Sequence, residues 1–159
     1  MKKLTLLLCA IALVSACSND DTPPAPISPE YAVFGLFSGG MSTEDFNMYR
    51  VTRTRFEREV LSPPFDQSGY AFESDEALSA AELSNAQQVL DLIPEVLIAG
   101  ETTTYGCPDC HDQGGYYLEF GEGNRTKRVL IDLTDTADQP VEVVQFKNAL
   151  ATLVLLFDN

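Results

Sequence analysis

The side chains best suited to chemistry lie in one stretch, Gly106-Cys107-Pro108-Asp109-Cys110-His111-Asp112-Gln113-Gly114-Gly115. Two thiols three residues apart, followed directly by the only histidine of the chain, could do four kinds of chemistry. They could add to the vinyl groups of a haem, with His111 on the iron. They could cycle between thiol and disulfide. They could ligate a soft metal ion together with His111. They could also close a disulfide whose only use is to stiffen the loop.

Neighbouring residues bear on each reading. Cys-x-x-Cys-His is the attachment motif of c-type haem, but with one histidine the second axial ligand would have to be Met41, Met48 or another group. In class I cytochromes c that methionine lies downstream of the motif, and here no methionine follows His111. A thioredoxin-like pair needs its first cysteine at a helix N-terminus. Gly114-Gly115 and the strand-like run Tyr116 to Phe120 leave no room for such a helix, and Asp109 and Asp112 oppose a thiolate. A closed zinc site draws on two separated ligand pairs. Once Cys9 and Cys17 are assigned to the N-terminal signal, one pair remains, with Cys107, Cys110 and His111 as the candidate metal ligands and a carboxylate as a fourth. The local disulfide suits an oxidising compartment, and Pro108 restricts its ring. The expectation is a Cys107–Cys110 loop disulfide, with no catalytic residue and no bound cofactor.

Two weaker groupings accompany the cysteines. Asp132, Asp135 and Asp138 could meet a calcium ion, but their spacing is not that of an EF-hand, and a solvated turn before the last helix accounts for them. Arg53 and Arg55 share one face of a presumed strand, with Arg50 and Arg58 on the other. An anion could bind there, although pairing with Glu57, Glu59 and neighbouring strands accounts for them, and exposed pairs contribute little.

The N-terminus is an address. Lys2 and Lys3 give a positive start, Leu4 to Val14 an apolar run broken only by Thr5, and Ser15-Ala16 a small-residue end. The run is too short for a membrane-spanning helix, which needs about 20 residues. Val14-Ser15-Ala16-Cys17 resembles the lipobox of bacterial lipoproteins. That resemblance implies cleavage before Cys17, diacylation of its thiol and acylation of the new amino group. Residues 1–16 are then a signal peptide, and Cys9 leaves with it. The mature chain keeps 8 basic and all 24 acidic residues, a charge of −16. Two or three acyl chains anchor stably where one alone is reversible. Ser18 stands where an aspartate resembles an inner-membrane retention signal, so the analogy favours the outer membrane. Asn19-Asp20-Asp21 resembles the surface-export signal of Bacteroidota lipoproteins, which leaves the periplasmic face and the cell surface both open. Residues 17–29, with Pro23, Pro24, Pro26 and Pro29 among polar residues, form an acidic tether.

A single domain of about 130 residues follows, from 30 to 159, long enough to bury roughly two-thirds of its unfolded surface without a staple. Charged residues make up 21% and hydrophobic ones 45%, which argues against disorder. The acidic excess argues against nucleic acid as a partner. Tyr31 to Phe37 is apolar on both alternating faces, as in a strand covered on both sides. Phe46 to Val60 reads as one long strand, ended by Pro63-Pro64. Ser79 and Glu82 fit a capping box before Leu83, Ala86, Leu90 and Ile93 at helical spacing; Pro94 breaks or restarts that helix and Gly100 stops it. Tyr116 to Phe120 and Val129 to Leu133 alternate around the turn Gly121-Glu122-Gly123-Asn124. Pro140 opens an amphipathic helix with Val143, Phe146, Leu150, Leu153 and Phe157 on one face. The expected fold is α+β: a two-layer domain in ββαββα order, an antiparallel sheet of about four strands with two main helices on one face.

The motif Gly-Cys-Pro-Asp-Cys-x-Asp-x-Gly-Gly over 106–115, before a hairpin and a terminal helix, resembles small Bacteroidota lipoproteins of unknown function. The likeness extends over roughly residues 85–157 and takes in Ile93-Pro94-Glu95. In that group the position of His111 need not be histidine, and no activity carries over. Residues and resemblance together suggest a lipid-anchored envelope protein, a non-enzymatic binding or structural module with a loop disulfide. Its partner would be the membrane, through the acyl chains on Cys17. The alternatives are a periplasmic thiol–disulfide protein using Cys107 and Cys110, or a metal- or haem-binding protein through Cys107, Cys110 and His111.

Overall fold

The alternation in Tyr31–Phe37 places Ala32 and Phe34 on one side of a strand and Val33 and Phe37 on the other, and all four are buried. This strand, β1, occupies the middle of the sheet. It pairs antiparallel with β2 (Phe46–Thr52) on one side and β6 (Gly115–Glu122) on the other. The computed structural model describes residues 26–38, 46–61, 70–74, 76–111 and 113–158. The signal, lipobox, Cys9, Cys17, Met41, Pro63-Pro64 and Asp112 readings fall outside the described residues.

The sheet corrects the expected layout. Among the described residues it has seven strands, not about four, in the order β4-β3-β2-β1-β6-β7-β5, and it carries three helices. The run read as one long strand is a hairpin of β2 and β3 (Phe56–Leu61). No glycine, proline or asparagine marks the turn. It is built on Thr52, whose hydroxyl accepts the N–H groups of Thr54 (3.3 Å) and Arg55 (3.0 Å). Arg53 and Arg55 therefore sit at a hairpin tip and share no strand face. Two strands have only two residues each, too few for alternation to register: β4 (Glu76–Ala77) beside β3 and β5 (Thr104–Tyr105) beside β7 (Arg125–Asp132). The β5·β7 pair is parallel, so the sheet is mixed.

Between the outer strands lie α1 (Ala80–Leu92) and α2 (Glu95–Ala99), and the chain closes with α3 (Val141–Phe157). The Ser79 hydroxyl accepts the Glu82 N–H, and the Glu82 carboxylate accepts the Ser79 N–H at 2.8 Å, a complete capping box. Pro94 ends α1 and starts α2. All three helices contribute to the main core, against the sheet face formed by Ala32, Phe34, Tyr49, Val51, Leu118 and Ile131. Phe157 closes this core with its ring 4.6 Å from Phe56 and 5.4 Å from Tyr49. Asp158 then accepts hydrogen bonds from the Tyr49 hydroxyl and the Asn47 amide (2.7 Å). On the opposite sheet face Val33, Phe37, Met48 and Tyr117 form a smaller cluster, with Tyr70 and Phe72 packed against it. Among the described residues, no helix is long and apolar enough to cross a membrane.

Candidate functional site

The cysteine stretch sits where β6 begins and β7 ends, because Gly115 pairs with Asp132 across the ladder. Cys107 and Cys110 are joined in a disulfide, with Cα atoms 5.4 Å apart. Both cysteines and His111 are exposed. The loop closes on itself through Cys110 N–H to the Cys107 carbonyl (3.2 Å) and Asp109 N–H to the Gly114 carbonyl (3.1 Å). The Asp109 carboxylate accepts the Gly114 N–H at 3.1 Å. Gln113 reaches back to the Cys107 carbonyl (3.2 Å) and accepts the His111 N–H (2.9 Å).

Glycine is required at both ends of this loop. Gly106 and Gly114 each have φ near +75°. At Gly106 a side chain would lie 2.6 Å from the β-carbon of Asp132, and at Gly114 it would strike the Phe37 carbonyl. Asp109 also takes a positive φ of 66°, a conformation that aspartate tolerates better than most residues.

The loop is held from outside by the chain that follows β7. Asp132 is 3% exposed. One of its carboxylate oxygens accepts the Cys107 N–H (2.9 Å) and the other the Thr134 N–H (2.8 Å). Asp138 accepts the Gly106 N–H at 2.9 Å. Lys147 on α3 holds this second loop in turn. It is 2% exposed, and its ammonium meets three acceptors: the Asp135 carboxylate (2.7 Å), the Asp132 carbonyl (3.1 Å) and the Gln139 amide oxygen (3.0 Å). An ammonium has three donors, so each has a partner. Gln139 completes the set by donating to the Thr134 carbonyl (3.1 Å).

The three aspartates read as a possible calcium site thus have separate duties: two hold backbone N–H groups of the cysteine loop and one pairs with Lys147. Among the described residues no group of three or more His, Cys, Asp or Glu side chains converges as a metal site would require. Cys107 and Cys110 lie side by side through their disulfide, and His111 follows at the surface. Lys147 and Gln139 were not singled out from the sequence. The available signal for Lys147 was its position, four residues after Val143 and three before Leu150 in the apolar stripe of the last helix.

A second polar cluster lies on the opposite sheet face. Glu119 accepts from the Arg128 guanidinium (2.6 Å), the Tyr117 hydroxyl (2.9 Å) and the Tyr31 hydroxyl (3.3 Å). Burial pushes both phenols above their ordinary ionisation, most strongly Tyr117. Arg50 and Arg55 flank Glu57 in the same way, at 4.0 Å and 3.0 Å. These arginines pair with the sheet's own carboxylates.

No protein-family model, curated protein or solved structure matches this chain.

Proposed function

We propose that the chain is a lipid-anchored cell-envelope protein, acylated on Cys17, and a non-enzymatic binding or structural module that displays a rigid disulfide loop. The positive start, apolar run and lipobox-like Val14-Ser15-Ala16-Cys17 support the anchor. The outer membrane is its membrane, with the domain on the periplasmic face or the cell surface. The observation that carries the reading of the loop is the double use of Asp132. A buried carboxylate spends one oxygen on Cys107 and the other on Thr134, which fixes the loop rather than equipping it to react.

The rival with an observation in its favour is thiol–disulfide exchange, because both cysteines are exposed. The surroundings oppose it. A carboxylate bonded to the Cys107 backbone disfavours a thiolate beside it, and the segment after Cys110 leads into a strand instead of a helix. Incubation with a graded glutathione couple separates the readings. A structural clip stays oxidised through mild reductant and catalyses no disulfide reduction in a protein substrate. Turnover that disappears in Cys107→Ser would overturn the non-enzymatic reading.

A further inference from the structure

Most cations of the folded domain lie toward one end of the sheet. Beyond Lys2 and Lys3 the sequence holds eight lysines and arginines. Seven of them occupy two hairpins, Arg50, Arg53, Arg55 and Arg58 in one and Arg125, Lys127 and Arg128 in the other, and all but Arg58, which pairs with Tyr49 in the middle of the sheet, lie toward the turns. Strand register puts both hairpins at the same end. Tyr31, which opens β1, pairs with Thr52 and with Gly121, and Gly121 pairs with Thr126. Phe37, which closes β1, pairs with Gly115, and Gly115 pairs with Asp132. Seven residues of strand separate the two ends by roughly 20 Å.

The ends differ in charge and connection. Residues 26–30 join the sheet at the cationic end, where Ser28 N–H reaches the Glu122 carboxylate (3.4 Å) and Glu30 N–H the Gly121 carbonyl (2.8 Å). The opposite end carries the disulfide loop with Asp109, Asp132, Asp135 and Asp138, and the lysine there, Lys147, is buried. At the cationic end the arginine side chains are 42% to 56% exposed while facing carboxylates of their own chain. That end is therefore close to neutral in a strongly acidic protein, and it presents guanidinium groups whose planar fork suits phosphate.

We infer that the Arg53 and Arg125 hairpin tips dock on phospholipid headgroups and that the disulfide loop points away from the membrane. The inference rests on the lipid-anchor reading. Twelve residues, 18–29, separate the acylated cysteine from the domain, a span of at most about 40 Å. The tether therefore keeps the domain within reach of the headgroups. Of the two ends, the aspartate-rich one is repelled by anionic lipid and the cationic one is not.

The chain contains no tryptophan, so a single introduced one reports its own position. Asn124→Trp marks the cationic end and Ala137→Trp the opposite loop, both at exposed positions. Acylated full-length protein is placed in vesicles of phosphatidylethanolamine and phosphatidylglycerol containing headgroup spin-labelled lipid. The inference expects strong quenching at 124 and none at 137. It also expects quenching at 124 to be lost in Arg53→Glu/Arg125→Glu, while the protein stays on the vesicles. The milder Arg53→Gln/Arg125→Gln should weaken quenching, with circular dichroism confirming the fold of both variants. Equal quenching at 124 and 137, or quenching at 124 unchanged by charge reversal, would overturn the docking alone. A protein mass without acyl chains would contradict the anchor itself and remove the inference with it.

Discussion

The buried carboxylate of Asp132 accepts the backbone N–H of Cys107 at 2.9 Å, joining the end of β7 to the disulfide loop that precedes β6. Its other oxygen holds Thr134, so one side chain fixes two loops. Asp132→Ala leaves both N–H groups without their acceptor and is expected to cost about 2–3 kcal/mol. Asp132→Asn keeps one acceptor oxygen and should cost about half as much. Urea unfolding of the two variants measures the difference. Equal stability of wild type and Asp132→Ala would show that the latch contributes nothing.

Lys147 acts one step further out. Lys147→Met preserves the stem in the apolar stripe and removes three hydrogen bonds, leaving the Gln139 amide oxygen without its donor and the Asp132 carbonyl with only the longer bond from the Gln139 N–H at 3.5 Å. The expected loss is about 2 kcal/mol, limited because Asp135 is largely exposed and can hydrate. Hydrogen exchange should rise in residues 132–139 before it rises in β1. Exchange that rises uniformly would mean that Lys147 supports the whole core instead of this loop.

The disulfide closes a very short ring, so its effect on the unfolded chain is modest, about 2 kcal/mol by loop-closure entropy. Cys107→Ala/Cys110→Ala should therefore fold and keep the hydrogen bonds from Gly106 and Cys107 to Asp138 and Asp132. Backbone chemical shifts would change in 106–115 and little elsewhere. Global unfolding of the double variant would contradict a purely local clip.

Burial raises the ionisation of all six tyrosines. In Tyr49 the Asp158 carboxylate adds to burial, and in Tyr70 the Glu59 carboxylate does. The fold thus favours the protonated phenols, whereas the unfolded chain ionises near pH 10. This stabilisation is fully present below about pH 10 and is lost as pH rises from there through the folded-state values. Phenolate absorbance followed with far-ultraviolet circular dichroism should show Tyr49, Tyr70 and Tyr117 ionising together with unfolding. Six phenols titrating near pH 10 in an intact fold would contradict this.

What the sequence disclosed depended on the length of each pattern. The alternation of Tyr31–Phe37 and the stripe from Val143 to Phe157 are long enough to be unambiguous, and each became an element. The hairpin at Arg53 was hidden because its turn rests on the Thr52 hydroxyl in place of a glycine or proline. Strands of two residues, β4 and β5, have no period to detect, and their pairing depends on partners distant in sequence. The cysteine pair was visible as chemistry open to four readings, and the oxidising compartment with the neighbouring residues favoured the disulfide among them. Its support was not visible: Asp132, Asp138 and Lys147 meet it only through tertiary contact, and a row of aspartates looks the same whether it binds calcium or backbone amides.

The most direct test of the lipid-anchored, clipped-loop account is the intact mass of protein purified from the membrane fraction, with alkylation before and after reduction. The account expects a chain beginning at Cys17 and carrying acyl groups, with Cys107 and Cys110 resistant to alkylation until reduced. An unprocessed or unacylated chain, a haem adduct, or cysteines alkylated without reduction would contradict it.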